Sequence, residues 1–456
     1  MKKREFDAIV IGAGSGLRIS SRLAEEGLKV AVVDEGAFGG TCLNRGCIPS
    51  KMLIHTADVL DVIKRAQIFG IKAKAIGIDW RGIQKRVWKV IDGDARELEQ
   101  ANRKTKGITV YKKRASFIGI KELKVGNDLI MADKIFICAG TRPVVPPFTG
   151  LENVHYETSD TVMRLKKQPR SMIILGGGYI AVELGHFFAS LGTKVTMINR
   201  SGLLLRNEDE EISAKFTELA KDQFDLRLDT NVLEVYKKGN KVYVDAEKNK
   251  KRSSVAADAL LVATGRKPNS DILDVGKTNV KITNDGYVAV NEFMETNVDG
   301  IWAIGDIAGK FLFKHSANME AEVCARNALN SGSKREANYT AMPHAVFASP
   351  QVAGVGMTEQ ELKQKKITYS AGKHLYEHTG MGRAMEEENG FVKALADPDT
   401  KKILGCHILG PEASTLIQEV VLAMRNGLTV DQVIDTIHIH PALPEVVQRA
   451  FKNIEW

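Results

Sequence analysis

The sequence is poor in cysteine, with five in 456 residues. That count excludes a framework of structural disulfides, which marks small secreted folds, and it suits a reducing compartment, so a cytoplasmic location is expected. A long apolar run is also missing, and no stretch is fit to span a membrane as a helix. Met1-Lys2-Lys3-Arg4 is basic, but the apolar residues after it break at Gly12. No targeting segment is therefore expected. There is no basic tail. The net charge of +8 comes from 64 Lys and Arg against 56 Asp and Glu, scattered or in short runs such as Lys248-Asn249-Lys250-Lys251-Arg252. Such a surface can steer an acidic or phosphorylated ligand. No nucleic-acid motif accompanies it, and no nucleic-acid partner, membrane partner or metal is expected. What remains is ordinary for a globular protein: 44% apolar and 26% charged residues, in a chain long enough for about three domains.

Two of the five cysteines stand close together, in Gly39-Gly40-Thr41-Cys42-Leu43-Asn44-Arg45-Gly46-Cys47-Ile48-Pro49-Ser50-Lys51. In a regular helix, residues five apart are separated by about 7.5 Å along the axis and lie on nearly opposite faces. A disulfide needs Cα atoms within about 7 Å. If Cys42 and Cys47 pair, the helix must begin in a distorted turn, which Gly46 and Pro49 permit. A thiol in the first turn of a helix is acidified by the unpaired N–H groups there, so such a pair would be a working dithiol. From the spacing alone, two unrelated buried cysteines are an equal reading.

With its flanking residues, the run resembles the redox-active signature of the flavin-dependent pyridine nucleotide-disulfide oxidoreductases. That family includes dihydrolipoamide dehydrogenase and the glutathione, mercuric and mycothione reductases. The resemblance covers the whole chain. It implies an α/β fold with two Rossmann-like dinucleotide-binding domains, for FAD and NAD(P), and a C-terminal α+β dimerisation domain. The expected boundaries are 1–148 for the first part of the FAD domain, 149–269 for the NAD(P) domain, 270–338 for the rest of the FAD domain and 339–456 for dimerisation.

Residues 6–11 read as a buried strand, followed by Gly12, Gly14 and Gly16 and a helical pattern. Gly12 suits the tight turn, and Gly14 lets backbone approach a pyrophosphate at the helix N-terminus. Asp34, twenty residues after Gly14, would accept the ribose hydroxyls. Leu17 occupies the place of the third glycine. The resemblance adds Gly40, Thr41, Cys42, Cys47, Lys51, Ala115, Gly140, Thr141, Arg142, Gly305, Asp306 and Ala317 around FAD. Residues 173–181 repeat the strand-turn-helix of 9–17, with Gly176, Gly178, Tyr179 and Ile180, and Gly265 repeats Gly140. Two such units imply two dinucleotides. Asn199 stands where Asp34 stands in the first unit, with Arg200, Ser201 and Arg206 beyond it. An acid there favours NAD, and its absence beside arginines favours NADP. NADP is therefore expected, with NAD left open.

The resemblance assigns catalytic roles to Cys42, Cys47, His440, Glu445, Lys51 and Glu183. Cys47 would lie against the flavin and Cys42 would exchange with substrate sulfur. Lys51 would pair with Glu183, Tyr179 would gate the nicotinamide pocket, and His440, oriented by Glu445, would be the acid–base. Cys138 reads as a small strand residue, not a reactive thiol. The third domain would form a homodimer in which His440 reaches the partner's disulfide. The stripe Ile417, Val420, Val421 and Met424 of a 414–426 helix offers a face for it, with packing inside its own domain as the alternative. Residues 43–51 look most like dihydrolipoamide dehydrogenase, so a dithiol/disulfide oxidoreductase of that kind is expected, acting on a small-molecule or lipoyl-protein dithiol. The alternative is an NADPH-dependent reductase of a low-molecular-weight disulfide. A mercuric reductase is less expected, because the chain ends at Glu455-Trp456 without a cysteine pair. A non-catalytic flavoprotein scaffold would not need Cys42, Cys47, Lys51 and His440 together.

Overall fold

The computed structural model describes residues 2–330 and 332–456. The chain forms two compact units. One contains the chain as far as Ser50, Gly82–Val144 and Gly265–Tyr339; the other contains Lys51–Arg81, Val145–Thr264 and Thr340–Trp456.

The first unit is built on a βαβ start: β1 (Lys2–Ile11), α1 (Gly16–Glu25) and β2 (Val30–Val33). All four residues of β2 are buried, as expected for a parallel strand covered on both faces. Its sheet has the order Ile108–Tyr111, β2, β1, Asp128–Ile137, Glu122–Val125, Ala115–Gly119, and Ile301–Ala303 also pairs with Asp128–Ile137. Pairing is parallel from Ile108–Tyr111 through Asp128–Ile137 to Ile301–Ala303, with Ala8 opposite both Val30 and Lys134. Helix Lys314–Leu329 packs against α1. The core between these layers includes Phe136 and Trp302, stacked with centroids 5.0 Å apart.

The second unit repeats the theme. Asp225–Arg227, Lys194–Ile198, Ser171–Leu175 and Ala259–Val262 form a parallel sheet, and helix Tyr179–Ser190 follows its glycine turn. Beside it lies an antiparallel meander, Asn231–Lys238, Lys241–Lys248 and Lys251–Ala257. The basic run at 248–252 is therefore a hairpin: Asn249 and Lys250 have φ of 50° and 62°, the two left-handed residues a tight primed turn requires. The C-terminal part is a five-stranded antiparallel sheet ordered His344–Val346, Val352–Gly356, Ile403–Leu409, Phe391–Ala396, Ser370–Leu375.

One expectation is corrected here. The apolar stripe of helix Ala413–Arg425 does not await a partner. Ile417 and Val420 are buried in the core of the C-terminal sheet, and Val421 and Met424 pack against that core. The sheet face needs covering, and the stripe covers it. The large apolar residue this helix turns outward is Leu422, 65% exposed. Among the described residues no helix is long and apolar enough to cross a membrane.

Candidate active site

The cysteine run forms two helices, α2 (Gly40–Arg45) and α3 (Cys47–Arg65), separated only by Gly46. Gly46 has φ −143° and ψ −118°, and a Cβ there would sit 2.9 Å from the Thr41 carbonyl oxygen. The helical path therefore breaks between the two cysteines, as a close approach between them demands. No disulfide joins Cys42 to Cys47. Both are thiols, Cys42 half-buried and Cys47 exposed. The hydrogen bond between them holds the Cys42 thiol well above the ordinary thiol range, burial adds to it, and the positive charge of Lys314 opposes both. The buried Asn44 amide pins the turn, donating to the carbonyls of Ala37, Phe38 and Gly40 at 3.1, 2.8 and 3.0 Å.

The two glycine turns are near copies. Gly12 has φ +112° and a Cβ there would lie 2.3 Å from the Cys138 carbonyl oxygen; Gly176 has φ +124° and would meet that of Ala263 at 2.4 Å. Only glycine fits such a turn. The missing third glycine is explained by Gly16, whose Cβ would strike Val10 Cγ1 at 2.8 Å and Cys138 Sγ at 3.1 Å. Helix and strand meet closely at residue 16, so Leu17 is tolerated. In front of Gly178 the space is open.

Asp34 and Asn199 differ in more than charge. The Asp34 carboxylate accepts the N–H groups of Ala13 and Gly36, each at 2.7 Å, and burial raises its pKa in spite of them. The Asn199 amide instead donates to the carbonyls of Ser201 and Leu203, at 3.2 and 3.1 Å. Ile180 and Ser201 are half-buried, while Arg200, Arg206 and Gly265 are exposed.

Thr141 links the remaining expected FAD residues. Its hydroxyl donates to Asp306 Oδ2 at 2.8 Å and accepts from Arg266 Nε at 2.8 Å. Gly305 has φ +71° and Ala317 packs 3.2 Å from where its Cβ would be; Ala115 and Ala317 are buried. Arg142 has a structural partner that the sequence reading missed. Its terminal nitrogens donate to Asp271 at 2.7 and 2.5 Å, to Asn269 at 3.0 Å and to the Pro268 carbonyl at 3.2 Å. This guanidinium holds the Asp271 carboxyl down at about 2. Cys138 is a poor candidate thiol, since burial pushes it far above the ordinary range.

In the second unit, Lys51 Nζ meets both oxygens of buried Glu183, at 2.9 and 2.7 Å. Glu183 also accepts the Phe347 N–H at 3.0 Å, and the ammonium lies 4.4 Å from the Phe347 ring centroid. Tyr179 donates its hydroxyl to buried Glu208, and His344 Nε2 contacts the other oxygen of that carboxylate at 2.7 Å. Neither Glu208 nor His344 was foreseen. His440 Nδ1 contacts Glu445 Oε1 at 2.9 Å, and Glu445 also accepts from Arg449 at 3.1 Å and from the Ala442 N–H at 3.2 Å. The bond to His440 is the main reason the Glu445 carboxyl lies below its ordinary range. The His440 side chain is exposed, and its neighbours Ile437 and Ile439 are 97% and 77% exposed.

The family model described as pyridine nucleotide-disulphide oxidoreductase matches residues 6–328, and the model for that family's dimerisation domain matches 342–451. The chain belongs to this family. Its members bind FAD and NAD(P), so this protein is a flavoprotein disulfide oxidoreductase. Relatives in the family include mycothione reductase of Mycobacterium tuberculosis, 37% identical with 98% of this chain and 99% of that protein covered. Dihydrolipoyl dehydrogenase of Chlamydia trachomatis is 35% identical over 97% and 95%. Among solved structures, the HOCl-induced flavoprotein disulfide reductase RclA from Escherichia coli is 30% identical over 98% and 99% of the chains, with a TM-score of 0.87. The residues fit the family's cofactors: the Gly12 turn at the N-terminus of α1 offers a cradle that side chains would fill, and the Gly176 turn offers a second.

Proposed function

We propose that this enzyme uses NADPH to reduce a low-molecular-weight disulfide through Cys42 and Cys47. The observation that carries this reading is the break at Gly46, which sets two thiols in hydrogen-bonding contact at the head of α3. In this reading residues 1–148 and 270–338 hold FAD, 149–269 hold the nicotinamide nucleotide and 339–456 form a homodimer. Cys42, as thiolate, attacks one sulfur of the substrate disulfide. The substrate S–S bond breaks, and the departing thiolate takes a proton from His440. Cys47 then attacks Cys42 Sγ, releasing the second substrate thiol and closing the Cys42–Cys47 disulfide. FAD, when bound, carries two electrons from the nicotinamide to that disulfide. Glu445 engages Nδ1 of His440 and so leaves Nε2 for the proton. Lys51, tied to Glu183, holds a positive charge in a defined place.

Support for NADPH comes from Asn199, which offers an amide where Asp34 offers a carboxylate, and from the exposed arginines beside it. A carboxylate would repel a 2′-phosphate. Support for a small disulfide comes from the 37% identity to mycothione reductase. A second reading, dihydrolipoamide oxidation, is favoured by residues 43–51 and by the 35% identity to dihydrolipoyl dehydrogenase. A turnover screen decides between them, crossing NADH and NADPH with lipoamide, glutathione disulfide, mycothiol disulfide and mercuric ion. The expected result is NADPH oxidation with one of the small disulfides. Turnover confined to NADH with lipoamide, the reverse of dihydrolipoamide oxidation, would establish the second reading instead.

A further inference from the structure

Beyond the family's cysteine pair, the first unit holds a half-buried cation that the mechanism above does not use. Lys314 is the first residue of helix Lys314–Leu329, and its Nζ donates to Ser15 Oγ at 2.9 Å. Ser15 in turn donates to Asn318 Oδ1 at 3.0 Å, one turn along the same helix. The lysine is thus tied down at the first glycine turn. That turn is in direct contact with the cysteine run. Gly39 N–H donates to the Ala13 carbonyl at 2.8 Å, and a Cβ on Gly40 would sit 2.8 Å from Gly14 Cα. Cys42 follows two residues later. The ammonium is therefore anchored to the turn against which the start of the cysteine run packs.

We propose that Lys314 is a positioning residue of the dithiol step, its ammonium stabilising the negative charge carried by the Cys42–Cys47 pair whenever the disulfide is open. The other charged groups facing Lys314 are Arg18 and Asp306. Arg18 is paired with Glu322 at 3.1 Å, and Asp306 accepts from Thr141 at 2.8 Å. Among the largest influences on Cys42, the side-chain cation is Lys314. The directions agree with the geometry: burial lowers the lysine, the two sulfurs raise it, and the lysine lowers Cys42 against the burial and hydrogen bond that raise it. A half-buried charge is screened less than a surface one, so its removal must be felt at the thiols.

This proposal rests on the dithiol reading, and its test separates the two. The holoenzyme is reduced with dithiothreitol and freed of reductant without air. Alkylation of Cys42 and Cys47 by iodoacetamide is then followed against pH, with the site read by mass spectrometry. Removing a cation raises a thiol pKa, so the thiolate fraction falls at any pH below both midpoints. Lys314→Met should move the Cys42 midpoint up by about one unit, a roughly tenfold slower alkylation at low pH, while retaining one FAD per chain. Lys314→Arg should restore the midpoint. Ser15→Ala, which loosens the ammonium without removing it, should shift the midpoint in the same direction by less. An unchanged midpoint in Lys314→Met, or in Ser15→Ala should the methionine variant not fold, overturns the proposal. Loss of FAD from Lys314→Met with an unchanged thiol midpoint also overturns it and makes the lysine a cofactor ligand. If the reduced wild type presents no alkylatable pair at 42 and 47, the dithiol reading itself has failed.

Discussion

Cys42 and Cys47 are chemically distinct. One is half-buried and one exposed, and they sit on either side of a helix break. If Cys42 is the exchanging thiol, Cys47 is needed only to resolve the mixed disulfide. Cys47→Ser should then bind FAD as the wild type does but stop after one attack. Intact-mass analysis after exposure to the substrate disulfide should show a stable adduct of one substrate half on Cys42, and steady-state turnover should fall to background. Full turnover in this variant would mean that the pair does not act as a dithiol. Partners near in the chain, such as Cys42 with Cys47 and His440 with Glu445, were legible from the sequence, and the distant pair Lys51 with Glu183 only through the family resemblance. Lys314 and Ser15 are 299 residues apart, and His344 and Glu208 are 136 apart. Only the fold brings such pairs together, and no local spacing announces them.

At the scale of elements, period and punctuation carried most of the information. The two glycine turns and the parallel strands that lead into them stand where the sequence pattern places them. The antiparallel meander at 231–257 was not legible, because its one buried face is short and its lysines read as solvated surface. The stripe on Ala413–Arg425 was legible as a stripe, but a periodic apolar face does not say what covers it. The second glycine turn carries a prediction of its own. Arg200 and Arg206 are exposed beside Asn199. If they hold a 2′-phosphate, each charge-assisted contact contributes about 1.5–3 kcal/mol. Replacing both with alanine should lower kcat/KM for NADPH by at least tenfold per arginine while changing that for NADH less than threefold. Equal losses for the two nucleotides would show that these are ordinary surface charges.

For the whole molecule, the open question is where His440 acts. The dimerisation-domain match at residues 342–451 includes it. Its loop presents Ile437 and Ile439 to solvent, at 97% and 77% exposure. Two isoleucines that exposed, just ahead of a candidate acid–base, are a surface suited to cover by another chain. The apolar stripe of Ala413–Arg425 is already buried inside its own unit, so the stripe is not left for a partner, whereas Leu422 of the same helix is exposed. A two-fold dimer pairs equivalent surfaces reciprocally and makes two equal sites. If each site takes its cysteines from one chain and its histidine from the other, two inactive variants can rescue one another. Cys47→Ser and His440→Ala homodimers should each retain only background turnover. Co-expression under two affinity tags isolates the mixed dimer, in which one site has both defects and the other has none. That dimer should recover about half the wild-type rate per dimer, by the site count alone. A mixed dimer that assembles with full FAD and stays inactive would place His440 with the cysteines of its own chain.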